Sequence, residues 1–217
     1  YGKTIILAYG KVPKSLGIPG EDKFMGRGVS TCIICDAPLF KGKIVAVIGG
    51  GNSAVEGAIE LAGIAKKVYI VHRRNEFRAD ESSVEKLKKE KNVELVLNHM
   101  PTEIKGNKFV KSLIVEDANT KKRRELMVDG VFIEIGYAVD NSMVKGIVKV
   151  NKFNEIIVDE RCQTSCKGIF AAGDVTTVPF KQTVIAASDG AKAALQAHAF
   201  LTGTATSIDW LHSAKKK

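Results

Sequence analysis

Continuous apolar runs and segments of helical spacing follow each other through the middle of the chain. Residues 43–48, KIVAVI, are apolar and rich in β-branched side chains, as in a strand buried on both faces of a parallel sheet. A glycine cluster follows, and then Val55, Ile59 and Ala62 recur at the spacing of one helix face. Residues 66–71, KKVYIV, predict the next strand. These segments together predict a βαβ unit of about 30 residues.

The rest of the chain continues this mixture of helices and strands. Helices are predicted at residues 82–91, with a lysine-rich face, and at about 183–201, with a face of small residues that suits close packing on backbone or cofactor. Three strands are predicted between Phe109 and Ile135, around a charged hairpin. Other strands are predicted at residues 4–8, 93–97, 156–158 and 168–172. The pattern indicates an α/β fold whose Rossmann-like domain has a central parallel sheet and a β-meander.

Composition narrows the possible partners. With 45 % hydrophobic residues in 217, the chain can bury a core, but no apolar run approaches the ~20 residues of a membrane span. The net charge of +9, a third of it from the last three lysines, fits an anionic ligand. Basic and acidic residues are mixed and only 6 % of residues are aromatic, so the KKRR run at 121–124 is interpreted as a solvated turn. Since the first residues also lack a secretion signal, we expect a cytoplasmic protein that binds neither nucleic acid nor membrane.

Four cysteines occur as two close pairs. Cys32 and Cys35 are followed at once by Asp36, which leaves three interpretations open: half of a zinc site, a structural staple, or a redox dithiol with its own proton donor. Zinc is weakly supported because the second pair, Cys162 and Cys166, is far along the chain and has three residues between its cysteines. For that second pair, free thiols are favoured over a local disulfide, and a second relay or metal site comes last. We therefore predict no metal site.

The glycine cluster has the pattern of a dinucleotide-binding turn. Residues 49–54, GGGNSA, fit G-x-G-x-x-A between a predicted strand and a predicted helix. Gly49 would permit the tight turn, Gly51 would let a pyrophosphate approach the backbone, and Ala54 would let helix and strand pack closely. The pyrophosphate would then lie at the helix N-terminus. A glycine-rich turn without a ligand is the alternative.

Positive charge lies where an NAD-binding fold usually carries an acid. That acid follows the second strand, about 20 residues beyond the glycine turn, and Arg73, Arg74 and Arg78 occupy this region here. Their forked guanidinium groups suit a 2′-phosphate, which favours NADPH over NADH. The alternative is a solvated arginine cluster. We interpret His72 as a structural or ribose-adjacent residue.

A dithiol beside a nicotinamide fold needs an electron relay, and a flavin can accept a hydride and pass two electrons to a disulfide. Residues 168–175, GIFAAGDV, predict a strand that ends in Gly173 and Asp174, which can present the carboxylate to the ribityl chain of a flavin. The following residues 180–194 resemble a helix that enters near the isoalloxazine ring. This segment therefore points to FAD.

Taken together, the motifs resemble those of the low-molecular-weight thioredoxin reductases. The resemblance runs from residue 1 to about residue 203, and several motifs in one order are far more specific than any one of them. The matching motifs are IPGE at 18–21, GVS at 28–30, CIICD at 32–36, GGGNSA at 49–54, HRRNEFRA at 72–79 and GIFAAGDV at 168–175.

The resemblance implies a role for each matching residue. Cys35 would face the flavin and receive electrons, Cys32 would attack the disulfide of thioredoxin, and Asp36 would donate and accept the proton. Such enzymes are homodimers whose NADPH domain rotates between two positions. The resemblance places cofactor-binding residues at Gly49, Gly51, Asn52, Ser53, Ala54, His72, Arg73, Arg74, Arg78, Ile135, Gly136, Gly173, Asp174, Gln182 and Thr183.

Two features depart from the family pattern. Ile33 and Ile34 replace the small or polar residues usual between the cysteines, and Ala37-Pro38 stands where a glycine is usual. The family's N-terminal segment for the ADP half of FAD is not in the sequence. We therefore expect a partial FAD-binding domain at 1–14 and 142–217, an NADPH-binding domain at 15–141 that carries the dithiol, and little FAD or turnover from the 217 residues alone.

Other functions remain open at this point. A flavoprotein subunit that reduces peroxiredoxins has the same motifs and an extra N-terminal module. A small-molecule dithiol oxidase also keeps the CxxC motif but often lacks the arginines that are present here. A nucleotide-binding module without turnover would be a third possibility.

Overall fold

The computed structural model describes residues 1–204. The chain forms two compact units, which are called here the inserted unit, Pro13–Gly136, and the flanking unit, Tyr1–Val12 with the described residues from Tyr137 onward. The sequence prediction placed these boundaries a few residues later, at 14/15 and 141/142. The partial FAD-binding domain was predicted to extend to residue 217, and residues 205–217 lie outside the described residues.

In chain order, the helices are α1 (Glu21–Phe24), α2 (Ile33–Asp36), α3 (Asn52–Ala62), α4 (Glu81–Lys89) and α5 (Thr183–Thr202). The strands are β1 (Ile5–Leu7), β2 (Val12–Pro13), β3 (Val29–Ser30), β4 (Ile44–Gly49), β5 (Lys67–His72), β6 (Val93–Leu97), β7 (His99–Gly106), β8 (Val110–Asp117), β9 (Arg123–Met127), β10 (Gly130–Glu134), β11 (Tyr137–Ala138) and β12 (Ile169–Ala171). Short 3-10 turns lie at Ala37–Phe40, Ser142–Val144 and Gly173–Val175.

A five-stranded parallel sheet is the centre of the inserted unit, with strand order β3-β10-β4-β5-β6. Both of its faces are covered. Val45 and Val47 pack in one cluster with the buried residues of α3 and α4, whereas Ala46 and Ile48 pack in another with buried residues of β8 and β9. Alternate side chains of β4 therefore enter opposite cores, which explains its continuous apolar run. The predicted βαβ unit and parallel sheet are confirmed.

The β-meander consists of β7, β8 and β9, paired antiparallel in sequence order. The predicted hairpin between β8 and β9 is confirmed, and its arginines pair with carboxylates at Glu116 and Glu94. The third strand predicted in this region, β10, belongs to the parallel sheet instead. The sequence did not reveal β7, because Ile104 is its only buried side chain and Pro101 interrupts the pattern beside a register shift.

The flanking unit contains the parallel pair of β1 and β12 and the long helix α5. Phe170 and Ala172 pack with Ala193 and Ala197 of α5, which uses the small-residue face predicted for this helix. The predicted strand at 156–158 is wrong. Ile156 makes only isolated bridges, to Val150 and Thr176, and the next two residues are in no strand.

Candidate nucleotide pocket and dithiol site

The turn between β4 and α3 is built from glycines with different surroundings. Gly49 has φ +156°, and a Cβ there would lie 2.3 Å from the carbonyl oxygen of Glu134 and 2.6 Å from Cβ of Ala54. Ala54 is fully buried. A Cβ on Gly51 would meet nothing within 4 Å, so this position faces open space. The turn is therefore closely packed at Gly49 and open to solvent at Gly51, as the approach of a pyrophosphate to the backbone requires.

His72 fixes the middle of this turn. A Cβ on Gly50 would lie 2.2 Å from the His72 ring, which stacks on Phe77 with centroids 5.5 Å apart. Nε2 of His72 lies 3.1 Å from the carbonyl oxygen of Glu76. Burial lowers the pKa of His72 below 6.5, and the neighbouring arginines, including Arg78, lower it further. His72 is thus a neutral packing residue at neutral pH.

The arginine loop that follows β5 folds back onto the glycine turn. The backbone N–H of Arg78 donates to the carbonyl oxygen of Gly50 at 2.7 Å. Asn52, at the start of α3, donates to Oδ2 of Asp80 and accepts from its backbone N–H, both at 2.9 Å. Asn52 therefore ties the loop to α3 by its side chain.

A pocket of about 440 Å³ opens at this turn, entirely within the inserted unit. Of the predicted cofactor-binding residues of this unit, Asn52, Ala54 and Arg74 do not line it. The predicted residues that do line it are Gly49, Gly51, Ser53, His72, Arg73, Arg78, Ile135 and Gly136. A glycine turn, a helix N-terminus and two guanidinium groups around one open volume fit a phosphorylated dinucleotide.

Sequence reasoning missed several residues of the pocket wall. Lys14, Ser15 and Leu16 line it from a segment that precedes α1. Glu134, the last residue of β10, also lines it, and burial raises the pKa of this carboxyl above 4.5. The position of Glu134 at the end of a strand beside the glycine turn was the available signal, since ligands bind at the carboxyl ends of parallel strands.

Cys32 and Cys35 form a disulfide, with their Cα atoms 5.3 Å apart. Cys32 is half-buried at the N-cap of α2, and Cys35 is exposed. The backbone N–H of Cys35 donates to Sγ of Cys32 at 3.3 Å, and that of Asp36 donates to the carbonyl oxygen of Cys32. Across residues 1–204, no three His, Cys, Asp or Glu side chains are placed to hold a metal ion.

The two isoleucines between the cysteines have opposite environments. Ile33 is 5 % exposed. A Cβ added to Gly57 would lie only 2.1 Å from Cδ1 of Ile33. Ile33 therefore packs on the bare backbone of α3. Ile34 is 81 % exposed beside Cys35. The bulky pair is thus accommodated by one glycine on α3 and by solvent.

In the flanking unit, the predicted FAD-binding residues lie around the start of α5. Gly173 has φ +74°, and a Cβ there would lie 3.2 Å from Cβ of Ala186 in α5. Asp174 is half-buried in the same turn, while Gln182 is the N-cap of α5 and Thr183 its first residue. The Gly173–Val175 turn therefore offers a carboxylate that can accept hydrogen bonds from hydroxyl groups, and α5 offers a helix N-terminus that can bind an anion.

The second cysteine pair consists of free thiols. Cys162 is buried with Phe170 and donates to the carbonyl oxygen of Asp189 at 3.5 Å, whereas Cys166 packs against a different cluster. Burial raises the pKa of Cys162, which keeps the thiol protonated. Neither cysteine lines the nucleotide pocket.

The family profile described as pyridine nucleotide-disulphide oxidoreductase matches residues 1–190. The chain belongs to this family. Membership of this family implies the use of a flavin and a pyridine nucleotide. The oxidoreductase family predicted from the motifs is thereby confirmed.

Curated relatives with two different names are similar to this chain. The F subunit of alkyl hydroperoxide reductase from Pseudomonas putida is 47 % identical over 203 residues, which cover 93 % of this chain and 39 % of the relative. Its counterpart in Escherichia coli K12 is 44 % identical over 94 % of this chain and 39 % of its own length. Thioredoxin reductase of Helicobacter pylori is 43 % identical, over 92 % of this chain and 66 % of its own length.

Solved structures of thioredoxin reductases have the same fold. The Lactococcus lactis enzyme matches with a TM-score of 0.80 at 36 % identity, over 92 % of this chain and 66 % of its own. The T. acidophilum enzyme matches with a TM-score of 0.78 at 37 % identity, over 94 % and 66 %. The chain therefore spans between two fifths and two thirds of the length of these relatives. Among residues 1–204, no helix is long and apolar enough to cross a membrane.

Proposed function

We propose that the chain is the NADPH-binding and dithiol-bearing part of a disulfide reductase of the thioredoxin reductase type. One observation carries the proposal: α3 begins at the glycine turn of the pocket and supports the Cys32/Cys35 disulfide at Gly57. Gly51 and Gly57 are six residues apart, which corresponds to about 9 Å along a helix. One rigid element therefore supports both the nucleotide site and the dithiol.

The dithiol transfers two electrons to the disulfide of the partner protein by thiol–disulfide exchange. Two electrons and two protons convert the Cys32/Cys35 disulfide into two thiols; when bound, NADPH and FAD supply these electrons. The Cys32 thiolate then attacks one sulfur of the partner's disulfide and releases the other as a thiolate. Cys35 attacks the mixed disulfide at Cys32, which restores the internal disulfide and frees the second partner thiol. Asp36 accepts and returns the proton.

Local geometry supports Cys32 as the attacking sulfur. The backbone N–H of Cys35 points at Sγ of Cys32 and stabilises negative charge there. We assign the reducing nucleotide to the pocket of the inserted unit, where Arg73 and Arg78 receive the 2′-phosphate. FAD is assigned to Gly173, Asp174, Gln182 and Thr183 of the flanking unit, completed by residues outside this chain.

The proposed partner is thioredoxin or a related small redox protein, and the complete protein is proposed to be a cytoplasmic homodimer. The second candidate is the flavoprotein subunit of an alkyl hydroperoxide reductase, which passes electrons to a peroxiredoxin. The identities of 47 % and 44 % to two such subunits favour this candidate. Both candidates use the same dithiol, and at this site they differ in which disulfide Cys32 attacks.

The decisive experiment measures NADPH-dependent disulfide reduction by the protein that carries this chain. Thioredoxin and a peroxiredoxin are offered as separate disulfide substrates, and Cys35→Ser is compared with the wild type. We expect the substitution to abolish reduction of both, because the mixed disulfide at Cys32 has no resolving thiol. The matched control is Cys166→Ser, which removes a free thiol of the flanking unit. Full activity of Cys35→Ser would refute the dithiol mechanism.

The nucleotide assignment has its own test. Arg73→Ala and Arg78→Ala remove guanidinium groups that line the pocket, and Arg74→Ala removes one that does not. We expect the first two to raise the Kd for NADPH about tenfold and to leave the Kd for NADH unchanged, since only NADPH has the 2′-phosphate. Arg74→Ala is the control with little effect. Equal losses for both nucleotides would remove the 2′-phosphate assignment.

A further inference from the structure

The pocket wall formed by residues 14–16, together with the following Gly17, is held by a single buried carboxylate. Glu21 is 3 % exposed and accepts three hydrogen bonds from this segment. Oε1 accepts from the backbone N–H of Leu16 at 3.0 Å, while Oε2 accepts from the hydroxyl of Ser15 at 2.9 Å and from the N–H of Gly17 at 2.8 Å. A buried carboxylate with three such donors fixes a loop far more strongly than one ordinary hydrogen bond does.

The position of Glu21 is itself fixed by the preceding turn. Gly20 has φ +92°, and a Cβ there would lie 2.0 Å from the carbonyl oxygen of Ile104. The N–H of Ile104 in turn donates to the carbonyl oxygen of Pro19 at 2.9 Å. The IPGE motif thus packs α1 against the meander and aims Glu21 at the pocket wall.

Lys14 stands at the start of this wall. Its backbone N–H donates to the carbonyl oxygen of Gly136 at 2.9 Å, and Lys14 is an exposed residue that lines the pocket. Within residues 1–204, its ammonium group takes part in no ion pair. Lys14 is therefore, among the described residues, a cation with no protein counter-ion, on a segment that is anchored at both ends.

The strand order indicates whether Lys14 lies nearer to the site of the pyrophosphate or to that of the 2′-phosphate. Gly136 follows β10, which lies on one side of β4, whereas the arginine loop follows β5 on the other side. Two strand spacings, about 10 Å, separate β10 from β5. A pyrophosphate bound at the glycine turn after β4 would lie between them. Lys14 would therefore face such a pyrophosphate from the side opposite to Arg73 and Arg78.

We propose that Lys14 is a pyrophosphate-binding residue of the nucleotide pocket and that Glu21 is the positioning residue that holds it there. The inference rests on the proposed function, because it requires a dinucleotide in the pocket. It assigns a role to the IPGE motif, whose glycine and glutamate set the wall, and to a lysine that lies outside both the glycine turn and the arginine loop.

The first test measures Kd for NADPH and for NADH by calorimetry on the 217-residue chain at low ionic strength. Lys14→Ala should raise both Kd values by about the same factor, about tenfold, which corresponds to about 1.4 kcal/mol. Lys14→Arg should keep most of the affinity. The matched control is Lys88→Ala, an exposed lysine of α4 outside the pocket, which should change neither Kd.

The outcomes separate the two proposals. A wild-type chain that binds neither nucleotide overturns the proposed function and this inference with it. Binding by the wild type with no change in Lys14→Ala overturns the inference alone. A loss confined to NADPH would place Lys14 at the 2′-phosphate and overturn the pyrophosphate assignment.

The second test addresses Glu21 through a double-mutant cycle. Glu21→Gln supplies one acceptor oxygen for three donors, so the wall should move and Kd should rise several-fold for both nucleotides. Because Glu21 acts through Lys14, Glu21→Gln should add nothing to Kd in the Lys14→Ala background. Additive losses would overturn the positioning role. Glu94→Gln, a half-buried carboxylate with two ion pairs away from the pocket, is the stability control.

If Glu21→Gln does not fold, the variant Ser15→Ala takes its place in the double-mutant cycle. Ser15→Ala removes one of the three hydrogen bonds that Glu21 accepts. We expect a smaller rise in Kd that also disappears in the Lys14→Ala background. A rise of equal size in both backgrounds would contradict the positioning role as before.

Discussion

Replacing Gly57 by alanine should destabilise the inserted unit, although alanine is the better helix former. In the interior of a helix, alanine is favoured over glycine by about 1 kcal/mol. The new Cβ, however, would lie 2.1 Å from Cδ1 of Ile33, far inside the ordinary contact range of 3.4–4 Å. Ile33 is almost fully buried and has little space to move. Overpacking of this kind costs about 1–3 kcal/mol, so we expect a net loss of up to about 2 kcal/mol.

The diagnostic result is a reversal of sign. Valine lacks the Cδ1 atom, and the other Ile33 atoms near Gly57 are 3.4 Å or more from the new Cβ. In an Ile33→Val background, Gly57→Ala should therefore stabilise the chain by about 1 kcal/mol. Urea unfolding of the wild type, both single variants and the double variant measures the coupling directly.

The control is Gly63→Ala at the end of α3, where a Cβ would meet only the carbonyl oxygen of Glu60 at 3.5 Å. Its effect on the free energy of unfolding should be the same with isoleucine or valine at position 33. If Gly57→Ala also has the same effect in both backgrounds, Ile33 does not dock the dithiol helix on α3 and the reasoning fails.

Three further predictions concern the nucleotide pocket. The folded state holds the Glu134 proton more tightly than the unfolded state, so the contribution of Glu134 to the free energy of unfolding should fall as the pH rises above 4.5. In urea unfolding, Glu134→Gln should remove this part of the pH dependence, and an unchanged pH dependence would contradict the raised pKa. Gly50→Ala should cost about 1–3 kcal/mol by collision with His72, whereas Gly51→Ala should leave stability within about 0.5 kcal/mol but weaken NADPH binding; equal stability losses would contradict this. Asn52→Ala should raise the Kd for NADPH several-fold, although its side chain does not line the pocket, because it releases the arginine loop; an unchanged Kd would show that the loop is held without it.

Local sequence was sufficient for the elements whose burial has a simple period. The strand β4 and the helix α3 were predictable because strands covered on both faces are continuously apolar and helices repeat every 3.6 residues. The glycine turn was predictable because its backbone conformation and close contacts restrict the residue type at Gly49 and Ala54. The pairing of Cys32 with Cys35 was predictable only together with the nucleotide and flavin motifs, because the CxxC spacing by itself also fits half of a zinc site.

The tertiary structure alone decided which side chains share the pocket and what supports the dithiol. Lys14 meets Gly136, His72 meets Gly50 and Ile33 meets Gly57, and each contact joins residues far apart in sequence. No periodicity encodes such pairs, because they depend on how the strands order themselves in the sheet and on which face each helix presents. The sequence thus determined which chemical groups are available to this protein, and packing determined which of them line the pocket and which only support those that do.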